Sequence, residues 1–149
     1  MTQFVTAGAG FLLAVLWFDL MFDLQVLGHG RDQPEDVLGS ISAYYRRVTT
    51  SARPMNRLVG AAMLATIASV CLQLARGDAP SWVAWASLAL VVSPVLLAAV
   101  HTFPAAVRLG TGADGAGRRS QVARSICRDH LLCLAAVSSV MAIQLAYGR

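Results

Sequence analysis

Two carboxylates, Asp19 and Asp23, stand four residues apart inside an apolar run from Phe4 to Gly28. Four residues is just over one helical turn, so the two acids share a helix face. A carboxylate inside a helix of membrane-spanning length is costly, and such groups face a protein interior and a partner. Few partners are on offer. The other apolar stretches contribute His101 and His130, with Asp129 beside the second, and arginines stand near their ends at Arg57, Arg108 and Arg128.

Three arrangements compete for these residues. In the first, Asp19 and Asp23 pair with Arg57, Arg108 or Arg128 and only stitch helix ends together. In the second they hold a metal. Asp19 and Asp23 with His101 and His130 offer two oxygens and two imidazoles, a set that suits iron, zinc or copper in a bundle core. His101 and His130 on neighbouring helices equally suit the axial positions of a b-type haem. No spacing such as His-Glu-x-x-His supports either set. In the third, a desolvated carboxylate acts as general base beside a histidine on a lipophilic small molecule. The catalytic residues are then Asp19, His101, His130 and Arg128, with Asp23, Asn56, Arg57 and Tyr45 lining the substrate. The same groups would serve a small transporter, although four helices enclose a pore only as a homo-oligomer.

Positioning these groups is the work of a membrane-embedded scaffold. Of the 149 residues 56% are hydrophobic and only 13% charged, against roughly 25% charged in a soluble domain. The lipid bilayer is therefore the first partner. The net charge of +4 comes from arginine alone, since the chain has no lysine. In a membrane protein that balance sets orientation before it suggests an anionic partner, and no nucleic-acid partner is expected. Cys71, Cys127 and Cys133 form no CxxC pair and read as small core residues. Met1 to Phe4 lacks the positive start of a signal peptide, so the first segment is expected to be retained.

Four stretches reach the length of about 20 apolar residues needed to span a bilayer, at about 4–28, 55–75, 81–108 and 125–147. The fold class is thus all-α, an integral membrane four-helix bundle forming one domain over 1–149. Ala7-Gly8-Ala9-Gly10 in the first span, and the row Ala61, Ala65, Ser69 in the second, suit close helix contact. Gln73 and Gln144 are expected to bond across helices. Between the first two spans, Val37, Leu38, Ile41, Tyr44, Tyr45 and Val48 recur at helical spacing. They predict an amphipathic helix over about 34–48, lying in the membrane interface or over the end of the bundle. Pro94 should kink the third span and Pro104 should bend or end it. Gly110 to Ser120 reads as a flexible connection. Its Gly110-Thr-Gly112-Ala-Asp-Gly115 matches GxGxxG without the strand that would give the motif meaning. Arg76-Gly77-Asp78 reads as turn chemistry.

Ten of the twelve arginines fall on the 1–2 and 3–4 connections and their helix ends, leaving Arg76 and Arg149 for the other face. The positive-inside rule then puts both termini outside a bacterial-type cell inner membrane crossed four times. In that topology Asp19, Asp23, His101, Asn56, Arg57, Arg128 and His130 converge on one half of the bundle, and the other half is nearly all aliphatic.

The stretches Arg53-Pro-Met-Asn56-Arg57, His101-Thr-Phe-Pro104 and Arg124-Ser-Ile-Cys-Arg128-Asp-His130 resemble the small four-helix membrane family that includes anthrone oxygenases. The asparagine usual after the third-helix proline is replaced here by Ala105 and Ala106. The resemblance implies an oxidoreductase, oxygenase-like, acting on a hydrophobic aromatic substrate. The alternative is a non-catalytic membrane subunit or small transporter whose buried Asp, His and Arg residues are structural or gating.

Overall fold

The chain is described by a computed structural model covering residues 1–51 and 53–148, with the backbone alone at Arg53. Arg149 and the Arg53 side chain, both counted in the arginine balance, lie outside the described residues. The described residues fold into helices without a strand. They are α1 (Thr2–Asp23, extended by a tight 3-10 turn, Leu24–Gly28), α2 (Glu35–Arg46), α3 (Arg53–Arg76), α4 (Ser81–Leu97), α5 (Phe103–Thr111) and α6 (Ala116–Tyr147). Four stretches are long and apolar enough to cross a membrane, namely Thr2–Gly28, Pro54–Arg76, Ser81–Thr111 and Ala116–Tyr147.

Two of these differ from the sequence expectation. The glycine-rich segment is a short turn, not a long flexible link. Gly112 closes α5 in the left-handed conformation (φ +65°), with its N–H on the Leu109 carbonyl, the helix-ending role only glycine fills freely. Helix α6 then begins at Ala116, well before Arg124. The prolines of the third span also act locally. Pro94 is buried and α4 runs past it to Leu97. A wide π turn, Ala98–Thr102, precedes α5, and the Phe103 N–H reaches back to the Ala98 carbonyl. Pro104 follows in the first turn of α5, where a missing N–H is tolerated and the ring crowds only the turn before it. A second π turn, Arg47–Ser51, comes shortly before Pro54.

The chain divides into two compact units, and each long span contributes to both: Met1–Leu16, Leu58–Leu96 and Leu132–Arg149 form the first, Trp17–Arg57 and Leu97–Leu131 the second. The core of the first unit is Val5, Ala9 and Leu12 of α1, Val70 of α3, Val91 of α4, and Val137 and Val140 of α6. Gly8 lies against the Thr66 side chain so closely that a Cβ there would collide with its hydroxyl. The small-residue start of α1 thus packs as expected. The Ala61, Ala65, Ser69 row does not. Ala61 and Ala65 are exposed, and α3 instead turns Thr66, Val70 and Gln73 inward. Gln73 forces that rotation, because its amide needs a partner that lipid tails lack.

In the second unit, α2 packs against α5. Val37, Ile41 and Tyr45 close over Ala106 and Leu109 of α5 and Ala123, Ile126 and Cys127 of α6. Gly110 makes this possible, since a Cβ there would stand 2.8 Å from the Arg46 backbone nitrogen. The apolar face of the amphipathic helix is therefore buried against α5 and α6. Its loop is tied down as well. The buried Gln33 donates its backbone N–H to Ser120 Oγ (3.1 Å) and its amide to the carbonyls of Val26 and Gly30. Arg119 grips both carboxylate oxygens of Glu35 at 2.7 and 2.8 Å.

Candidate functional site

The second unit holds the ionisable groups singled out by the sequence, and it sorts them into two Asp–His pairs. In one, His130 Nδ1 of α6 meets Asp23 Oδ2 of α1 at 2.6 Å. In the other, His101 Nδ1 from the π turn meets Asp129 Oδ2 of α6 at 2.5 Å. Consecutive residues on a helix point about 100° apart. Asp129 and His130, side by side on α6, therefore serve two different neighbours. The acid comes from α6 in one pair and from α1 in the other.

Helix α2 completes the first pair. Tyr45 donates its hydroxyl to Asp23 Oδ1 at 2.6 Å, and Tyr44 donates to Asp19 Oδ1 at 2.6 Å. The spacing of the acids, one turn apart on α1, thus receives two adjacent phenols of α2. Tyr44 stacks on Phe22 at 4.1 Å with the planes 11° apart and meets Tyr45 edge-on at 5.3 Å. Burial, and after it the neighbouring carboxylates, push both phenols above their ordinary value of 10.0. Both therefore remain donors at neutral pH, as the acids require. Asp19 Oδ2 stands 4.0 Å from His130 Nε2, so the imidazole is bracketed by two carboxylates.

The two acids differ in burial. Asp19, the deeper along the helix, keeps a side chain 19% exposed, whereas Asp23 is fully buried. In the first of the three arrangements Asp23 pairs with an arginine. It has a histidine and a tyrosine instead, because α2 folds over the end of α1. Neither acid pairs with Arg57, Arg108 or Arg128. Arg108 takes Asp114 in a two-point ion pair at 2.7 and 2.8 Å. That bond from Arg108 holds the Asp114 carboxyl below its ordinary 3.8. Among the described residues Asn56 and Arg57 make no side-chain hydrogen bond or ion pair with the cluster, and Arg128 lines a separate cleft with Arg31 and Arg124.

The metal set is not assembled. His101 belongs to the Asp129 pair and His130 to the Asp23 pair, and among the described residues no three His, Cys, Asp or Glu side chains are grouped to hold an ion. Asp19, Asp23, His101 and His130 do not converge on one point, because the two histidines are drawn to different carboxylates. Three members of the constellation, Asp129, Thr102 and Tyr44, were not assigned site roles from the sequence. Asp129 is buried, and Thr102, whose hydroxyl lies 3.0 Å from Asp129 Oδ2, sits beside His101 in the π turn. A sequence signal existed for Asp129, an acid flanking His130 within an apolar segment. None existed for Tyr44 and Thr102, which read as ordinary helix residues. His101 is the cluster's opening to the outside, 47% exposed, on a cleft of about 440 Å³ that also touches Pro104, Arg108, Arg118 and Gln121.

These features define an all-helical membrane protein with four apolar spans and a buried, mutually satisfied polar cluster. The chain belongs to the SHR3 chaperone family, described as ER membrane protein SH3, whose model matches residues 1–147. Comparison with the curated proteins and with the solved structures gives no match. The family match overturns the resemblance to anthrone oxygenases, which rested on the layout of four spans and on short stretches that many small membrane bundles can carry. It equally overturns the bacterial-type inner membrane, since the family is described by an ER membrane protein, and arginine balance reads orientation and cannot tell one membrane from another.

Proposed function

We propose that this protein is a non-catalytic membrane chaperone that holds apolar segments of client membrane proteins while they fold. The family match over residues 1–147 carries the reading. The polar cluster supports it. Asp23 and Asp129 are buried and satisfied by groups of the same chain, the state of a structural network, which fixes helix positions. The outer surface supports it too. Helix α3 turns Ala61 and Ala65 outward beside exposed Leu58, Leu64 and Leu72, and small residues on such a face let another helix approach closely. In this role the partners are the lipid bilayer and polytopic proteins, and the oxidoreductase reading with its lipophilic substrate falls away.

A photo-crosslinking residue placed at Ala65 tests the reading. Crosslinks to newly made polytopic membrane proteins are expected, together with retention of those proteins inside the cell when the chain is deleted. Crosslinks to lipid alone, with every polytopic protein maturing normally in the deletion, would rule the chaperone role out.

A further inference from the structure

We propose that the cleft between the loop after α1 and the first half of α6 binds the phosphate of an anionic phospholipid headgroup. The cleft encloses about 640 Å³ and is lined by Arg31, Asp32, Gln121, Arg124, Ser125 and Arg128, a size that suits a small ligand group. Three guanidiniums against one carboxylate leave it basic. Among the described residues the ion pairs of arginine with Asp or Glu are Arg108–Asp114 and Arg119–Glu35, so Arg31, Arg124 and Arg128 have none. Arg124 is held in place by an Nη2 bond to the His29 carbonyl at 3.1 Å, while its Nε is buried without a hydrogen-bond partner. That Nε is closed off from the cleft, but guanidinium groups match phosphate with paired N–H donors, and three of them line this cleft. Gln121 and Ser125 add neutral donors on the same stretch of α6.

The surroundings favour a lipid over a free phosphate. Arg31 lies three residues beyond the span Thr2–Gly28, and Leu24 and Leu27 on that span are exposed at 44% and 65%. Leu131, one turn past Arg128 on α6, is 39% exposed. Charged groups thus give way to exposed apolar ones within a turn or two on both helices, as headgroup gives way to acyl chain in a bilayer. A free phosphate would use only the basic part.

The test uses the full chain in a neutral detergent, with dioctanoyl phosphatidate as the probe and dioctanoyl phosphatidylcholine and inorganic phosphate as controls, read by melting midpoint and titration. A saturable rise in midpoint is expected with phosphatidate, with none from either control at equal concentration. Replacing Arg31→Gln and Arg128→Gln together should weaken the apparent Kd about tenfold or more, at about one favourable contact per guanidinium. These side chains make no internal ion pair, so the unliganded midpoint should hold. If the double variant fails to fold, Arg128→Lys serves, with an expected loss of about threefold for the lost two-point geometry. Arg108→Gln, outside this cleft, should bind as the parent does. An equal shift from inorganic phosphate or phosphatidylcholine overturns the proposal. So does an unchanged Kd in the arginine variants, or protection by an acidic peptide and not by phosphatidate.

Discussion

The two units solve the same problem with different chemistry. Each must hold polar side chains inside an apolar helix packing. In the first unit the groups are neutral. Gln73 and Gln144 exchange amide bonds in both directions, at 3.0 and 2.9 Å, and Gln144 also donates to Ser87 Oγ at 2.9 Å. Thr2 adds a hydroxyl that accepts from Gln73 and donates to the Gly148 carbonyl. In the second unit the groups are ionisable, and each buried acid needs a histidine together with a hydroxyl from Tyr45 or Thr102. An amide without its partner loses one or two ordinary hydrogen bonds. A carboxylate without its partners is a buried charge, which is far more costly. The first network is replaceable glue, and the second is what the surrounding helices cannot do without.

The sharpest way to break this comparison is to remove one partner from each unit. Asp23→Leu leaves His130 and Tyr45 without their acceptor and should destabilise the protein by about 3–5 kcal/mol, the cost of breaking a buried pair. Chemical unfolding in micelles, following α2 release through the fluorescence of a probe at Ser40, measures it. Gln73→Leu should cost about 0.6 kcal/mol and at most about 1.7, the range of hydrogen bonds between membrane helices. Equal losses from the two variants would show that burial of charge does not separate the units. The smallest effect lies within the second unit and sharpens the cause. Arg108–Asp114 is also charged and two-pointed, yet exposed, so Asp114→Asn should leave the melting midpoint within error at pH 7. Because the Asp114 carboxyl is depressed by Arg108, its small contribution is complete above the ordinary value of 3.8 and is lost as pH falls below it. A parent-minus-variant difference that grows with rising pH above neutrality would contradict this assignment.

Some of this was legible in the residues alone. Four spans, an amphipathic helix between the first two, and the need of Gln73 and Gln144 for partners on other helices follow from length, periodicity and the cost of a bare amide among apolar groups. The gathering of Asp19, Asp23, His101 and His130 into one unit also follows from where they stand along their helices. Depth along the helix, however, does not decide burial. Asp19 lies farther from the helix end, yet Asp23 is the fully buried acid, because shielding is set by what folds over that end. The row Ala61, Ala65, Ser69 misled for a related reason. Small residues permit contact without compelling it, and Gln73 decided how α3 is rotated.

By itself, then, the sequence determines the length and type of each helix and which polar groups must find company, because these depend on residues close in the chain and on the solvent that surrounds them. Only the tertiary structure decides the partners. Tyr44 and Tyr45 reach Asp19 and Asp23 because Gly110 lets α2 and α5 close up, and Asp129 and His130 part company because neighbours on a helix face different ways. Those choices depend on helix rotation and docking, to which the spacing along the chain is blind.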